Sequence, residues 1–259
     1  MALGPSAALL TDRVAVVTGA AEGIGEGIAR TFAQFGAQLA LCDRKSEDLT
    51  RVVSAIQADG SRVLAQTFDV REVARVAEFF SAVGQELGRI DVLVNNVGGG
   101  FEAPLMDVSA KGEDALVREN FSTVTSCVRA AAPLFPEAGG AIINISSIEA
   151  HRAAPGYAIY AAMKAAVESL TKSLALELGD RLIRVNCIAP DLIPTPGIGE
   201  VNADTPLSRR GCVDDAAGAA VFLASDLSRF VTGTTVHVDG GGLAAAGWRR
   251  TAGGGFSPG

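Results

Sequence analysis

The chain is poor in the residues that hold metals, disulfides and nucleic acids. It has two histidines, His151 and His237, and four cysteines, Cys42, Cys127, Cys187 and Cys212, with no Cys-x-x-Cys pair. Structural zinc sites need clusters of such side chains, so no metal site is expected. Four widely spaced cysteines read as buried thiols of a reducing compartment, which points to the cytoplasm. Lys and Arg number 22 against 29 Asp and Glu, for a net charge of −7. That balance leaves no basic stripe for a phosphate backbone and no electrostatic attraction to an anionic membrane. No run reaches the roughly 18–20 apolar residues of a membrane helix. Residues 1–10 are apolar but lack a preceding basic residue and a clear cleavage site, so they read as a short tail rather than a signal peptide.

What is present suits one large α/β domain. Hydrophobic residues make up 48% of 259 positions and charged ones 20%, enough apolar surface to build a core. Short β-rich runs alternate with longer helical ones. Strands are expected at 13–18, 38–43, 62–69, 91–95, 141–146, 184–188 and 234–238, with helices at 24–35, 47–59 and 71–87 and two long helical regions around the fifth strand. Val14-Ala15-Val16-Val17 and Ala141-Ile142-Ile143 are apolar at every position, as strands covered by helices on both faces must be. The alternation predicts a single Rossmann-type doubly wound domain over residues 11–243, with a seven-stranded, mostly parallel sheet. Residues 244–259 form a C-terminal tail. Its end, TAGGGFSPG, is rich in Gly, Pro and Ser and expected to be flexible.

The first strand runs into Thr18-Gly19-Ala20-Ala21-Glu22-Gly23-Ile24-Gly25. Glycines there let the backbone turn sharply and approach a pyrophosphate, while the next helix aims its free N–H groups at the anion. Asp43 closes the second strand. A carboxylate at that place accepts ribose hydroxyls and repels a 2′-phosphate. Arg44 beside it is the opposing signal, but Glu22 adds a second negative charge, so NAD is expected over NADP. Asp69 and Val70 end the third strand, where an adenine ring would lie. Asn96, Val97 and Gly98 follow the fourth and suit a turn beside the cofactor.

Tyr160-Ala-Ala-Met-Lys164 places two side chains on one helical face. A tyrosine titrates near 10, too high for a base at neutral pH. A neighbouring ammonium favours the phenolate. A drop of three units needs roughly 4 kcal/mol, within reach of a lysine and a cationic nicotinamide. Alone, a four-residue spacing is no more than a helix pair. Ser147 changes its weight. It ends the fifth strand 13 positions before Tyr160, and its hydroxyl can bond a substrate oxygen as charge develops there. Ser146 is its rival for that role.

Taken together, TGAAEGIG, Asp43, NNVG, Asn120, Ser147, YAAMK, Arg184-Val185-Asn186 and Val238-Asp239-Gly240-Gly241 resemble the single-domain branch of the short-chain dehydrogenase/reductase family, over roughly residues 10–242. The resemblance implies that Tyr160 is the acid/base, that Lys164 binds the nicotinamide ribose and tunes Tyr160, and that Ser147 orients the substrate oxygen. It also implies that Asn120 holds a water in a proton relay to Lys164. Gly19, Ala21, Glu22, Gly23, Ile24 and Gly25 would line the cofactor with Asp43, Arg44, Asp69, Val70, Asn96, Val97, Gly98, Pro190, Ile193 and Thr195. Where the family has Gly after Pro190, this chain has Asp191. Residues 194–210 read as a Pro- and Gly-rich lid, and Glu149, His151, Tyr157 and Asp191 as pocket walls beside Ser147. The implied reaction is hydride transfer between NAD(H) and a secondary alcohol or ketone. Alternatives are a 3-oxoacyl-carrier-protein reductase using NADPH, a steroid or terpenoid alcohol dehydrogenase, and a cofactor-binding regulator. A homotetramer is implied, with a dimer as the lesser assembly.

Overall fold

A computed structural model describes residues 3–199, 205–251, 253 and 255–258. Seven strands form one parallel sheet: β1 (Val14–Thr18), β2 (Gln38–Asp43), β3 (Val63–Thr67), β4 (Val92–Asn95), β5 (Gly140–Ile145), β6 (Ile183–Pro190) and β7 (Thr235–Val238), ordered β3-β2-β1-β4-β5-β6-β7. The expected strands recur with ends shifted by at most two residues, and every pairing in this sheet is parallel where mostly parallel was expected. The helices are α1 (Gly23–Gln34), α2 (Ser46–Ala58), α3 (Val73–Leu87), α4 (Ala110–Val117), α5 (Thr123–Ala131), α6 (Ala158–Glu177) and α7 (Val213–Ala224).

The sheet separates two apolar cores. On one side Ile28 and Phe32 of α1 and Val52 and Ile56 of α2 pack on Val17, Leu39 and Leu41. On the other, Phe79 and Phe80 of α3, Val128 of α5 and Val167 of α6 pack on Val16, Leu93, Ile142 and Val185. Val14–Thr18 is buried at all five positions, which accounts for its unbroken apolar run. Burying a side chain such as Phe32 stabilises the fold by about 2–3 kcal/mol. A line of amides crosses this core. Asn95 donates to Asn144 at 2.8 Å, and Asn144 donates to Thr171 of α6 at 2.8 Å. This pairing satisfies both polar ends of Asn144 and the Asn95 Nδ2 group, while Asn95 Oδ1 finds no hydrogen-bond partner among the described residues.

The strand order reverses direction between β1 and β4, and the carboxyl ends of these two strands open a crevice. Asn96 stitches them together: its side chain donates to Thr18 O at 3.1 Å and Gly19 O at 3.0 Å. After β7 the chain folds back on itself, reaching into the stretch 251–259 that was expected to be flexible. Trp248–Arg250 (β8) pairs antiparallel with Phe256–Pro258 (β9). Among the described residues no helix is long and apolar enough to cross a membrane.

Candidate active site

The crevice is a single cleft of about 870 Å³ at the carboxyl ends of the strands, large enough for a dinucleotide and a small substrate. Its first wall is the glycine loop. A Cβ at Gly25 would stand 2.0 Å from Gly19 O, so only glycine lets α1 start where it does. Asp43 braces the loop: its Oδ2 accepts Ala21 N–H at 3.0 Å and its Oδ1 accepts Lys45 N–H at 2.9 Å. Asp43 therefore has a structural task beside the expected ribose contact. Carboxylate oxygens carry further lone pairs, so the two tasks are compatible. Lys45 and Glu22 form an ion pair at 2.6 Å across the mouth. Further in, Arg71 grips Asp69 at 2.5 Å and holds its carboxyl below the usual range.

At the other end the side chains converge. Tyr160 and Lys164 project from α6, Ser147 caps the turn after β5, and all three line the cleft. Lys164 is almost wholly buried, and its Nζ donates to Ile145 O at 2.9 Å and lies 5.6 Å from the Tyr160 ring centre. Burial pulls its ammonium down to about 8. Tyr160 shifts the opposite way to the sequence expectation. Burial raises its phenol, a hydrogen bond with Ser147 lowers it, and the Glu149 carboxylate raises it. In the protein alone the Lys164 charge does not offset burial, because the ammonium itself is disfavoured there.

The loop after β4 closes the site. Asn120 is fully buried in a π-helical turn, Arg118–Ser122. Its Nδ2 donates to Gly99 O at 2.8 Å and Leu116 O at 2.9 Å, and its Oδ1 accepts Gly99 N–H at 3.1 Å. π-turns of this kind redirect a side chain out of the helix register. A Cβ at Gly98 would stand 2.6 Å from Lys164 Nζ and 2.9 Å from Asn120 Oδ1, so glycine there lets the loop sit against both.

Most of the expected residues line this cleft: Gly19, Glu22, Gly23, Ile24, Asp43, Arg44, Asp69, Val70, Asn96, Val97, Gly98, Pro190, Ile193 and Thr195, together with Glu149, Tyr157 and Asp191. Ala21, Gly25 and Asn120 lie behind the wall and shape it. His151 was expected in the pocket, and the structure places it outside. Its ring turns to Glu168 of α6 at 3.0 Å and to His237 at 3.1 Å. Asp191, where the sequence resemblance led to an expectation of glycine, accepts Leu192 N–H at 2.9 Å and pairs with Arg152 at 3.0 Å. Arg152 also pairs with Glu149 at 2.7 Å. The sequence reading missed Arg152, Gly99, Gly100, Phe101, Glu119 and Leu192. The Gly98-Gly99-Gly100 run was a visible signal for the loop; nothing in the sequence pairs Arg152 with Asp191. Of the expected lid, residues 200–204 lie outside the described residues. Among the described residues no three His, Cys, Asp or Glu side chains are grouped to hold a metal.

The family model for enoyl-(acyl carrier protein) reductase matches residues 19–242. The chain belongs to the short-chain dehydrogenase/reductase family. Like its relatives it is an oxidoreductase acting on CH–OH groups. It is 37% identical over 243 residues to gluconate 5-dehydrogenase of Gluconobacter oxydans (strain 621H), covering 90% of this chain and 95% of that one. It is 36% identical over 241 residues to the 3-oxoacyl-(acyl-carrier-protein) reductase FabG of Thermotoga maritima, covering 90% and 98%. A dehydrogenase/reductase from Sinorhizobium meliloti 1021 superposes with a TM-score of 0.88 at 33% identity, over 91% of this chain and 97% of that one. A blue fluorescent protein from a metagenomic library, solved with NADPH, superposes with a TM-score of 0.85 at 34% identity, over 90% and 98%. The glycine loop and the cleft fit a nicotinamide dinucleotide: Gly19, Glu22, Gly23 and Ile24 line the cleft at the start of α1, and the close packing of Gly25 on Gly19 O brings that helix start up behind them.

Proposed function

We propose that this reductase/dehydrogenase interconverts a secondary alcohol and a ketone with NAD(H), using Tyr160 as acid/base. The observation that carries the reading is the meeting of Tyr160, Ser147 and Lys164 at one end of a cleft whose other end holds the glycine loop and Asp43. A bound nicotinamide supplies the hydride acceptor in oxidation and the donor in reduction. In oxidation Tyr160 as phenolate takes the hydroxyl proton while the carbon gives up its hydride. Ser147 donates to the substrate oxygen and steadies its charge. Burial holds the phenol high, so ionisation draws on the Lys164 ammonium and the positive nicotinamide together. Lys164 would hold the nicotinamide ribose, and Asn120 beside Gly98 would hold a water in a proton relay to Lys164.

NAD is favoured over NADP by the Asp43 carboxylate at the ribose end and by Glu22, which keeps Lys45 engaged at 2.6 Å. Arg44 also lines that end and supports the second reading, an NADPH-dependent reductase of 3-oxoacyl thioesters. A panel of secondary alcohols, polyols and ketones, followed at the NADH absorbance with NAD and NADP in parallel, tests both. Turnover of alcohols with a clear NAD preference is expected. A clear NADP preference together with thioester reduction would replace this reading by the second. The functional unit is proposed to be a cytoplasmic homotetramer, supported by exposed apolar residues such as Leu176 on α6 and Phe230 before β7; a monomer by light scattering would refute it.

A further inference from the structure

Helix α6 carries three ionisable side chains in one row. Tyr160 and Lys164 are given roles by the proposed reaction, and the third, Glu168, is not. Residues at i, i+4 and i+8 share a face. Glu168 is 7% exposed, and burying a carboxylate is costly unless it is well bonded.

The bonds it makes are specific. Glu168 Oε1 accepts Ser146 Oγ–H at 2.7 Å and faces His151 Nε2 at 3.0 Å. Ser146 Oγ also lies 3.2 Å from Lys164 O. Ser146 immediately precedes Ser147, and His151 closes the short turn that Ser147 opens: Ala150 N–H bonds Ser147 O, and His151 N–H bonds Ile148 O, both at 3.0 Å. One carboxylate oxygen therefore ties down both ends of the Ser147 turn. It anchors them to the helix bearing Tyr160, one turn beyond Lys164.

The proton assignment is constrained as well. His237 Nε2 lies 3.1 Å from the same His151 Nε2. With its proton on Nε2, His151 donates to Glu168, and His237 Nε2 is at most a second, weaker acceptor of that same proton. His237 thereby backs the imidazole from β7, with the two rings 4.6 Å apart.

We infer that Glu168 and His151 are positioning residues, which set the height and angle of Ser147 against Tyr160. Neither lines the cleft, so both act through Ser147. The inference rests on the proposed alcohol/ketone reaction for its kinetic readout.

The test is a double-mutant cycle on the best alcohol of the panel. His151→Phe keeps a ring and removes the donor. It is expected to lower kcat roughly tenfold with the KM for NAD unchanged, a part of what losing a donor to a developing oxyanion costs. His151→Gln keeps an N–H donor and should restore most of kcat. In a Ser147→Ala background His151→Phe should change kcat less than twofold, because the residue it positions is gone. Amide exchange of residues 148–151 should quicken in His151→Phe while that of α6 does not. An equal loss in both backgrounds would overturn the inference. So would a loss of melting temperature with kcat intact, or a His151→Gln variant as slow as His151→Phe. If His151→Phe does not fold, His151→Asn, whose amide is too short to reach Glu168, takes its place. If the unchanged enzyme turns over no alcohol or ketone, the proposed reaction fails by that result alone. Amide exchange then decides the positioning role, and unchanged exchange at 148–151 rejects it.

Discussion

At the glycine-loop end the cleft is shaped by close-packed backbone ringed with charged side chains, and at the Tyr160 end chiefly by uncharged and acidic side chains on a glycine loop. The first end is made by Gly19, Gly23 and Gly25 at the start of α1, held by main-chain N–H groups on Asp43. The second is made by Ser147, Glu149, Tyr157, Tyr160 and Asp191, with Arg152 bridging Glu149 and Asp191, beside a loop whose Gly99 is clamped by Asn120. Backbone geometry leaves no room for a side chain and little for variation. A side-chain network can exchange one partner at a time and so retune a pocket without moving the sheet. The comparison teaches why the glycine-loop end could be read from a run of spacing while the partners of Asp191 could not.

Removing the Tyr160 hydroxyl should separate the two ends most sharply. Tyr160→Phe is expected to cut kcat by about 10²–10⁴, the usual worth of a general acid/base, with the fluorescence-measured Kd for NADH within about twofold. Wild-type turnover in this variant would remove Tyr160 from its role.

Gly25→Val attacks the opposite end. Its Cβ has no space beside Gly19 O, and overpacking of this kind typically costs about 1–3 kcal/mol. A lower melting temperature and an NADH Kd raised at least tenfold are expected. Normal NADH affinity in the folded variant would show that the backbone there is not rigid.

Asp43→Ser tests the charge at the ribose. Losing a repulsive carboxylate should move the ratio of kcat/KM for NADP over NAD upward by roughly 10-fold or more. Because Asp43 also braces Ala21 N–H, some loss with NAD should accompany the shift. An unmoved ratio would hand cofactor choice to other groups.

Lys164 links activity to stability. Its ammonium titrates near 10.4 when exposed and at about 8 here. The folded state thus holds fewer protons than the unfolded chain between those values, so stability rises with pH from about 8 to 10.4. Below pH 8 the burial cost is fully present. It amounts to roughly 3 kcal/mol, offset by about 1 for the bond to Ile145. Lys164→Met should therefore abolish turnover yet raise the urea midpoint at pH 7 by the equivalent of about 2 kcal/mol. A fall in that midpoint would mean the lysine is better solvated than its burial implies.

The smallest effect is expected at Asp191. Asp191→Asn weakens the pair with Arg152, a partly exposed contact of about 1 kcal/mol or less. A few-fold change in substrate KM with unchanged NADH affinity is expected. An altered NADH Kd would show that the substrate wall and the nucleotide end are coupled.

How legible these two ends were follows their construction. Gly19 to Gly25 is a continuous run at a strand-to-helix junction, so spacing alone exposes it. Tyr160 and Lys164 share one helix and can be paired by counting. Ser147, 13 residues away, was placed by the order of the strands, and Asn120 by family resemblance. Its clamp on Gly99 depends on a π-turn that no residue pattern announced. His151 was misplaced for a physical reason: it closes a tight turn, and a histidine there can face the cleft or the helix behind it. The buried carboxylate of Glu168 decides for the helix.

The order of strands and helices along the chain, the glycine loop and the spacing of Tyr160 and Lys164 on one helix face were legible in local sequence. They depend on periodicity and on contacts within one element or one turn. The partners of Glu168, the double task of Asp43, the Arg152 bridge to Asp191 and the folding back of the C-terminal stretch were decided only by tertiary structure. Each joins residues far apart in the chain or turns on which way a loop side chain points. Nothing in a linear sequence sets that direction until the core has packed and the buried charges have found their partners.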